Sequence, residues 1–192
     1  MRIFAEAELR DLLNERDARL EREVMSEDKN KLLNMNETAY VEYLLAKYHV
    51  DPLVFDWDNR SLSEREERIT AERFPWDFHV IQGKSYPKQV ITYHVPLSGE
   101  IELLRRTPTG RILWTSEVRI AGNQMQFDVI NWRDDPEVIK READEISSHI
   151  QTQAANVCRE VNEFNSALDD KVNKVVRDRK ETLLRQANIV AS

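Results

Sequence analysis

The side chains that could do chemistry in this 192-residue chain are few and widely spaced. The four histidines are His49, His79, His94 and His149. No two of them have the spacing of metal ligands on one helix face, and His94 is expected at the surface or edge of a strand. The single cysteine, Cys158, excludes both an intrachain disulfide and a cysteine-based zinc site. Because it lies among apolar residues in a helical pattern, a packed thiol is favoured over a nucleophile.

Motifs for phosphate or metal binding are equally sparse. The four glycines are isolated from one another, so neither a P-loop nor a dinucleotide-binding fingerprint is present. The triplet Glu27-Asp28-Lys29 matches part of a metal-dependent nuclease motif, but that motif requires a strand and this triplet is expected to open a helix. Helix capping explains the pair Asp134-Asp135. We therefore predict no catalytic, cofactor-binding or metal-binding residue, and keep a stand-alone enzyme only as an alternative.

A basic segment lies near the C-terminus. Residues 171–185 contain six basic and two acidic residues, whereas the whole chain carries a net charge of −7. A solvated helix face is the favoured interpretation. The alternative is a contact with nucleic acid, or with an acidic partner such as the first helix of a second copy. The residues that would make this contact are Lys171, Lys174, Arg177, Lys180 and Arg185.

The positions of glycine and proline predict the fold class. All the glycines and prolines lie between Pro52 and Pro136, and both residue types are disfavoured inside helices. The sequence therefore predicts an α+β fold with N-terminal helices over 1–51, a small antiparallel β-sheet over 52–134 and a long helical hairpin over 135–192. We expect the three regions to form one module.

Local patterns predict the individual elements. Apolar spacing indicates helices over 5–24 and 37–50, with Ser26 as an N-cap between them. Strands are predicted at Leu53–Trp57, Gln89–Val95 and from Ile101 to Leu104, followed by a hairpin over Glu117–Val129. Five aromatic residues are expected in a core between sheet and helix: Phe74, Trp76, Phe78, Tyr86 and Tyr93.

The C-terminal region begins with Asp135 as the expected N-cap, directly before Pro136. Apolar residues then recur mostly at gaps of three, four or seven. One unbroken helix would reach roughly 75 Å, so we favour two antiparallel helices broken between Phe164 and Leu168, with Asn165-Ser166 as the new cap. A continuous rod is the alternative. Self-association is expected along Ile146, Val157, Val161, Val172 and Val175.

The compartment expected from the sequence is the cytoplasm. No apolar run at the N-terminus has the length of a signal peptide, and no window approaches the eighteen apolar residues of a membrane span. The single cysteine agrees with a reducing environment.

Two parts of the chain resemble a known family. The first is Tyr93–Leu104, and the second combines Val161–Asn165 with Arg177–Glu181. Together they resemble the N-terminal region of bacterial proteins of uncharacterised role, whose C-terminal part looks like a restriction-endonuclease (PD-(D/E)XK) domain. The resemblance covers residues 85–192 and consists of aliphatic spacing, so it carries over no catalytic residue. It implies that this chain is the N-terminal piece of a longer protein, ending near Ile189–Ser192.

These observations lead to one expected function and one main alternative. We expect a non-catalytic regulatory, oligomerising or sensing domain of a bacterial nuclease-like protein involved in defence against phage. Its expected partner is a second copy of the chain, and no cofactor or membrane is expected. The alternative is a nucleic-acid-binding module that uses the basic C-terminal helix.

Overall fold

The computed structural model describes the fold of residues 1–191 and the side chains of residues 1–187. The helices are α1 (Leu9–Ser26), α2 (Lys29–Asn34), α3 (Glu37–Tyr48) and α4 (Pro136–Ala191). The strands are β1 (Ala7–Glu8), β2 (Val54–Phe55), β3 (Ser61–Thr70), β4 (Ser85–Ser98), β5 (Arg106–Thr107), β6 (Arg119–Ala121) and β7 (Gln124–Ile130). The α+β class is confirmed. The expected end of the module near Ile189–Ser192 lies outside the residues whose side chains are described.

The strand β4 lies at the centre of a five-stranded sheet in which every pair is antiparallel. Both β2 and β3 pair with one side of β4, β7 pairs with its other side, and β6 is the outer neighbour of β7. Along β7, Met125, Phe127 and Val129 are buried and alternate with partly buried residues. This alternation confirms the predicted division into a buried inner face and a more polar outer face.

Two local predictions are wrong. Ile101–Arg105 forms a 3₁₀ turn instead of a strand, and it buries Leu103 and Leu104 completely. Ser26 is the last residue of α1. The N-cap is Asp28, whose carboxylate accepts a hydrogen bond from the backbone N–H of Lys31 at 2.9 Å.

The expected aromatic core divides into two places. Tyr93 belongs to the main core and stacks on Phe127 with ring centroids 4.9 Å apart. Phe74, Phe78 and Tyr86 instead form an edge-to-face cluster with Trp132, next to the loop between β3 and β4. Trp76 belongs to neither group, because its side chain is 97% exposed.

The predicted helical hairpin is wrong, because α4 is one helix of 56 residues. Asp135 caps its start as predicted, accepting a hydrogen bond from the backbone N–H of Glu137 at 2.9 Å. At the expected break, Ser166 donates its hydroxyl hydrogen to the carbonyl of Asn162, and Asn165 is turned towards the backbone of Val50. Neither side chain therefore caps a new helix. At 1.5 Å per residue the helix is about 84 Å long.

The helix is continuous because it serves two hydrophobic cores in succession. Its first half packs on the inner face of the sheet through Ala143, Ile150, Ala154, Val157 and Val161. Its second half packs on α1, α2 and α3 through Leu168, Val172, Val176 and Leu183. Phe164 contacts both cores. The apolar stripe thus runs through the predicted break without interruption, and breaking the helix there would expose it to water.

The segment between α3 and β2 is held against α4 next to Phe164. The Asn165 amide accepts a hydrogen bond from the N–H of Val50 at 3.0 Å and donates one to its carbonyl at 2.8 Å. Gly99 has φ +94°, and a Cβ there would lie 2.1 Å from the carbonyl oxygen of Pro52. Only glycine permits this close approach.

The Asn165 clamp gives a direct stability prediction. Asn165→Ala leaves the buried N–H and carbonyl of Val50 without partners, so the free energy of unfolding should fall by about 2 kcal/mol. Asn162→Ala is the matched control, because Asn162 is exposed three residues earlier on the same helix. That variant gains the same helix propensity and should not lose stability. Urea denaturation measures both, and equal stabilities would contradict the assigned role of the clamp.

Candidate functional site

The five residues predicted for self-association contact the chain's own cores. Val157, Val161 and Val172 are fully buried, whereas Ile146 and Val175 are partly buried at the edges of the same cores. The structure therefore corrects the expectation of a free apolar surface along α4, because the sheet and the N-terminal helices already cover it.

The basic residues of α4 are also partly used within the chain. The ammonium group of Lys171 lies 2.5 Å from a carboxylate oxygen of Asp17 in α1. That of Lys180 lies 2.7 Å from Glu37 in α3. The acidic first helix, considered as a partner in a dimer, thus pairs with α4 in the same chain.

The other three basic residues face solvent. Lys174 pairs with Asp178 at 2.6 Å, and Arg185 lies 3.7 Å from Glu181, both within α4. Arg177 is exposed and makes no ion pair within the described part of the chain. A contact of this face with nucleic acid or an acidic partner stays a prediction.

The cysteine and His94 lie where the sequence suggested. The thiol of Cys158 is half-buried and donates a hydrogen bond to the carbonyl of Leu53, and burial raises the pKa of this thiol. His94 lies on the outer face of the sheet, its Nε2 atom 2.7 Å from the Ser63 hydroxyl. This is the distance between a nucleophile and its base. Among the described residues, however, no third side chain hydrogen-bonds to the ring to orient it.

A cluster of charged side chains, which sequence analysis missed, crosses the outer face of the sheet. The Asp128 carboxylate on β7 accepts two hydrogen bonds from Arg65 on β3 and two from Arg119 on β6, at 2.7 to 3.2 Å. Burial alone would raise the pKa of Asp128, but the hydrogen bonds from Arg119 and Arg65 outweigh it and hold this pKa well below its usual range. The cluster ties the exposed strand β3 to the rest of the sheet.

A cleft of about 630 Å³ lies where the two cores meet, between α1, α4 and the turn at Thr109 and Gly110. We call it the junction cleft. Leu13 and Phe164 supply its apolar residues, and its other side chains are polar or charged, with the carboxylates of Asp17, Glu160 and Glu163 beside two arginines. The turn is held in place because Glu160 accepts a hydrogen bond from the N–H of Thr109 at 2.7 Å.

Two arginines line the junction cleft from opposite elements. Arg10 comes from α1 and Arg159 from α4, and neither makes an ion pair or a side-chain hydrogen bond within residues 1–187. Gly110 leaves room for the guanidinium of Arg159, since a Cβ at residue 110 would lie 3.2 Å from the Nη2 atom of that arginine. Guanidinium groups bind carboxylates and phosphates in bidentate geometry.

The cleft also contains an acceptor without a partner. One carboxylate oxygen of Asp17 pairs with Lys171, but the other, Oδ1, is buried and has no hydrogen-bond partner. A buried acceptor without a partner is costly, so a small rotation of the Asp17 side chain that turns this atom towards a donor in the cleft would be favoured. The cleft therefore offers two guanidinium groups that are unpaired within the described residues, next to three carboxylates, those of Asp17, Glu160 and Glu163.

Part of this site has a signal in the sequence. Arg10, Asn14 and Asp17 have the spacing of one helix face. Their meeting with Arg159 depends on how α1 crosses α4, which no local pattern reveals.

Comparison with known proteins adds no relative. No family model matches the chain, and searches of curated proteins and of solved structures also found no match. Within residues 1–191, no helix combines the length and apolar character needed to cross a membrane. The same residues contain no group of three or more His, Cys, Asp or Glu that could hold a metal ion.

The charged cluster on the sheet predicts an acid-dependent stability. With its pKa lowered, the Asp128 carboxylate stabilises the fold above the ordinary aspartate pKa of 3.8, and this contribution is lost as the pH falls below that value. Asp128→Asn should therefore cost about 2 kcal/mol at pH 7 and less at pH 3. The control is Asp170→Asn, because Asp170 is exposed on α4. Urea denaturation at both pH values measures the difference, and a pH-independent cost would contradict it.

Proposed function

We propose that the chain is a non-catalytic sensing module that binds a small anionic molecule in the junction cleft. The observation that carries this proposal is the pair of guanidinium groups, Arg10 and Arg159, left without ion pairs in the described structure. Two other cations of α4 that face the N-terminal helices, Lys171 and Lys180, each have an ion pair with one of those helices. The volume of the cleft, about 630 Å³, lies within the range of small-molecule sites.

The lining also restricts the chemistry of the ligand. An anionic group would bind between Arg10 and Arg159. A hydroxyl or amino group on the same molecule would donate to the carboxylate of Asp17 or Glu163, which line the same cleft. Leu13 and Phe164 would contact its apolar part. A phosphate or carboxylate compound that also carries hydroxyl or amino groups, such as a nucleotide, fits these requirements.

The position of the cleft supports a regulatory role over simple storage of a ligand. Its walls belong to α1, to α4 and to the turn at Thr109 and Gly110. A molecule that contacts all three joins elements of the two cores at Phe164, so its binding free energy stabilises that junction. An endonuclease-like part after this module and a role in phage defence stay predictions from the resemblance.

The test compares the binding of three anionic probes, ATP, pyrophosphate and citrate, by thermal unfolding and calorimetry. At least one of them should raise the melting temperature of the wild-type chain. Arg10→Gln and Arg159→Gln should each weaken its binding about tenfold, since each removes a charged hydrogen bond. Arg177→Gln is the control, because this exposed arginine on α4 lies outside the cleft.

The outcomes separate the cleft from the basic C-terminal helix. If the probe still binds both cleft variants but no longer binds Arg177→Gln, its binding site is the basic face of α4 over residues 171–185 instead of the cleft. If none of the probes changes the melting temperature, the proposal of an anion-sensing cleft is wrong.

A further inference from the structure

The longest uncovered backbone edge of the sheet belongs to β3. This strand has ten residues and pairs with β4 along its whole length. No other described strand pairs with its outer edge, and Ser61–Glu66 are all exposed. Such an edge presents unpaired N–H and C=O groups that can add a strand from another chain.

We propose that β3 is a self-association edge, which pairs antiparallel with β3 of a second copy about a two-fold axis at Glu66. The occupant is a second copy because the charges of the strand complement themselves in this register. The proposal does not depend on the junction cleft, whose lining contains no residue of β3.

Backbone geometry limits the possible registers. Along a strand, the backbone N–H and C=O groups of successive residues point alternately to one edge and to the other. In an antiparallel pair, two directly opposite residues point these groups either both towards the partner strand or both away from it. Opposite residues must therefore be an even number of positions apart in two identical chains. A two-fold pair of identical strands therefore has its axis at a residue and never between two residues. Shifting the axis by one residue changes every cross-strand pair.

The charges then select one register. With the axis at Glu66, Glu64 lies opposite Arg68 and Arg65 lies opposite Glu67, and symmetry makes each pair twice. With the axis at Arg65, that arginine faces its own copy and Glu64 faces Glu66. Opposite charges across two strands stabilise the pair and like charges destabilise it. Only the register centred on Glu66 forms four pairs of opposite charge, against the single repulsion of Glu66 with its copy. Because Arg65 already pairs with Glu67 and Asp128 of its own chain, the two pairs of Glu64 with Arg68 are the ones that the dimer adds.

Charged edge strands usually prevent association, because like charges repel an approaching strand. The sequence Glu64-Arg65-Glu66-Glu67-Arg68 does not repel a second copy in this way. Residues at equal distances before and after Glu66 carry opposite charges, so they attract each other in the two-fold pair. The Asp128 cluster supports the same interpretation, because Arg65 holds β3 to the sheet in a regular extended form. The edge is therefore preorganised for pairing.

The test uses two complementary substitutions at exposed positions. Arg68→Glu and Glu64→Arg each replace two favourable pairs by two repulsions, so each variant alone should dimerise roughly tenfold or more weakly than wild type. In an equal mixture, the two variants restore opposite charges at all four positions. Sedimentation velocity over a range of concentrations should then show a heterodimer nearly as stable as the wild-type dimer.

Matched controls and a second variant complete the test. Glu42→Arg and Arg177→Glu make the same charge changes at exposed sites on α3 and α4 and should leave dimerisation unchanged. Glu66→Gln removes the one repulsion and should strengthen the dimer a few-fold. A wild-type chain that stays monomeric at the highest concentration overturns the proposal, as does a mixture that fails to restore association. Neither result bears on binding in the junction cleft, so the two proposals can fail separately.

Discussion

The structure depends on one constraint, namely that a single helix provides the apolar surface for two cores. The buried positions of α4 extend from Ala143 to Leu183, and the sheet covers the first half while α1, α2 and α3 cover the second. Neither half could change direction at Phe164 without exposing the apolar stripe of the other. The continuous helix thereby fixes the N-terminal helices relative to the sheet. Other contacts then form at the boundary between them, above all the hydrogen bonds of Asn165 to Val50.

The proposed functions follow from that arrangement in different ways. The junction cleft exists because α1 crosses α4 where the cores meet, which brings Arg10 near Arg159 without giving either a partner in the described chain. The edge of β3 is free because α4 covers the inner face of the sheet and leaves its outer strand uncovered. The junction cleft and the edge of β3 both belong to the part of the structure that packs on α4. A ligand in the cleft and a second copy at β3 would therefore bind to the same folded unit.

The sequence predicts the parts of this fold that local patterns control. Glycine and proline positions separate helices from sheet, Asp135 caps α4, and the alternation of Met125, Phe127 and Val129 predicts the inner face of β7. It fails where tertiary contacts override local preference. The charged strand β3 is held by its pairing with β4 and by the bonds of Arg65 to Asp128, contacts that its own sequence pattern does not reveal. The break expected at Asn165 does not form, because that side chain bonds to a segment 115 residues away. The lining of the cleft likewise comes from three separate parts of the chain.

The distance between the two ends of α4 tests the central claim most directly. Spin labels at Lys140 and Gln186, both exposed, in a Cys158→Ala background, allow this distance to be measured by pulsed electron resonance. A continuous helix places the two Cα atoms about 69 Å apart with a narrow distribution. A hairpin turned at Phe164 would bring them to about 15 Å, and that result would contradict the account of one helix serving two cores.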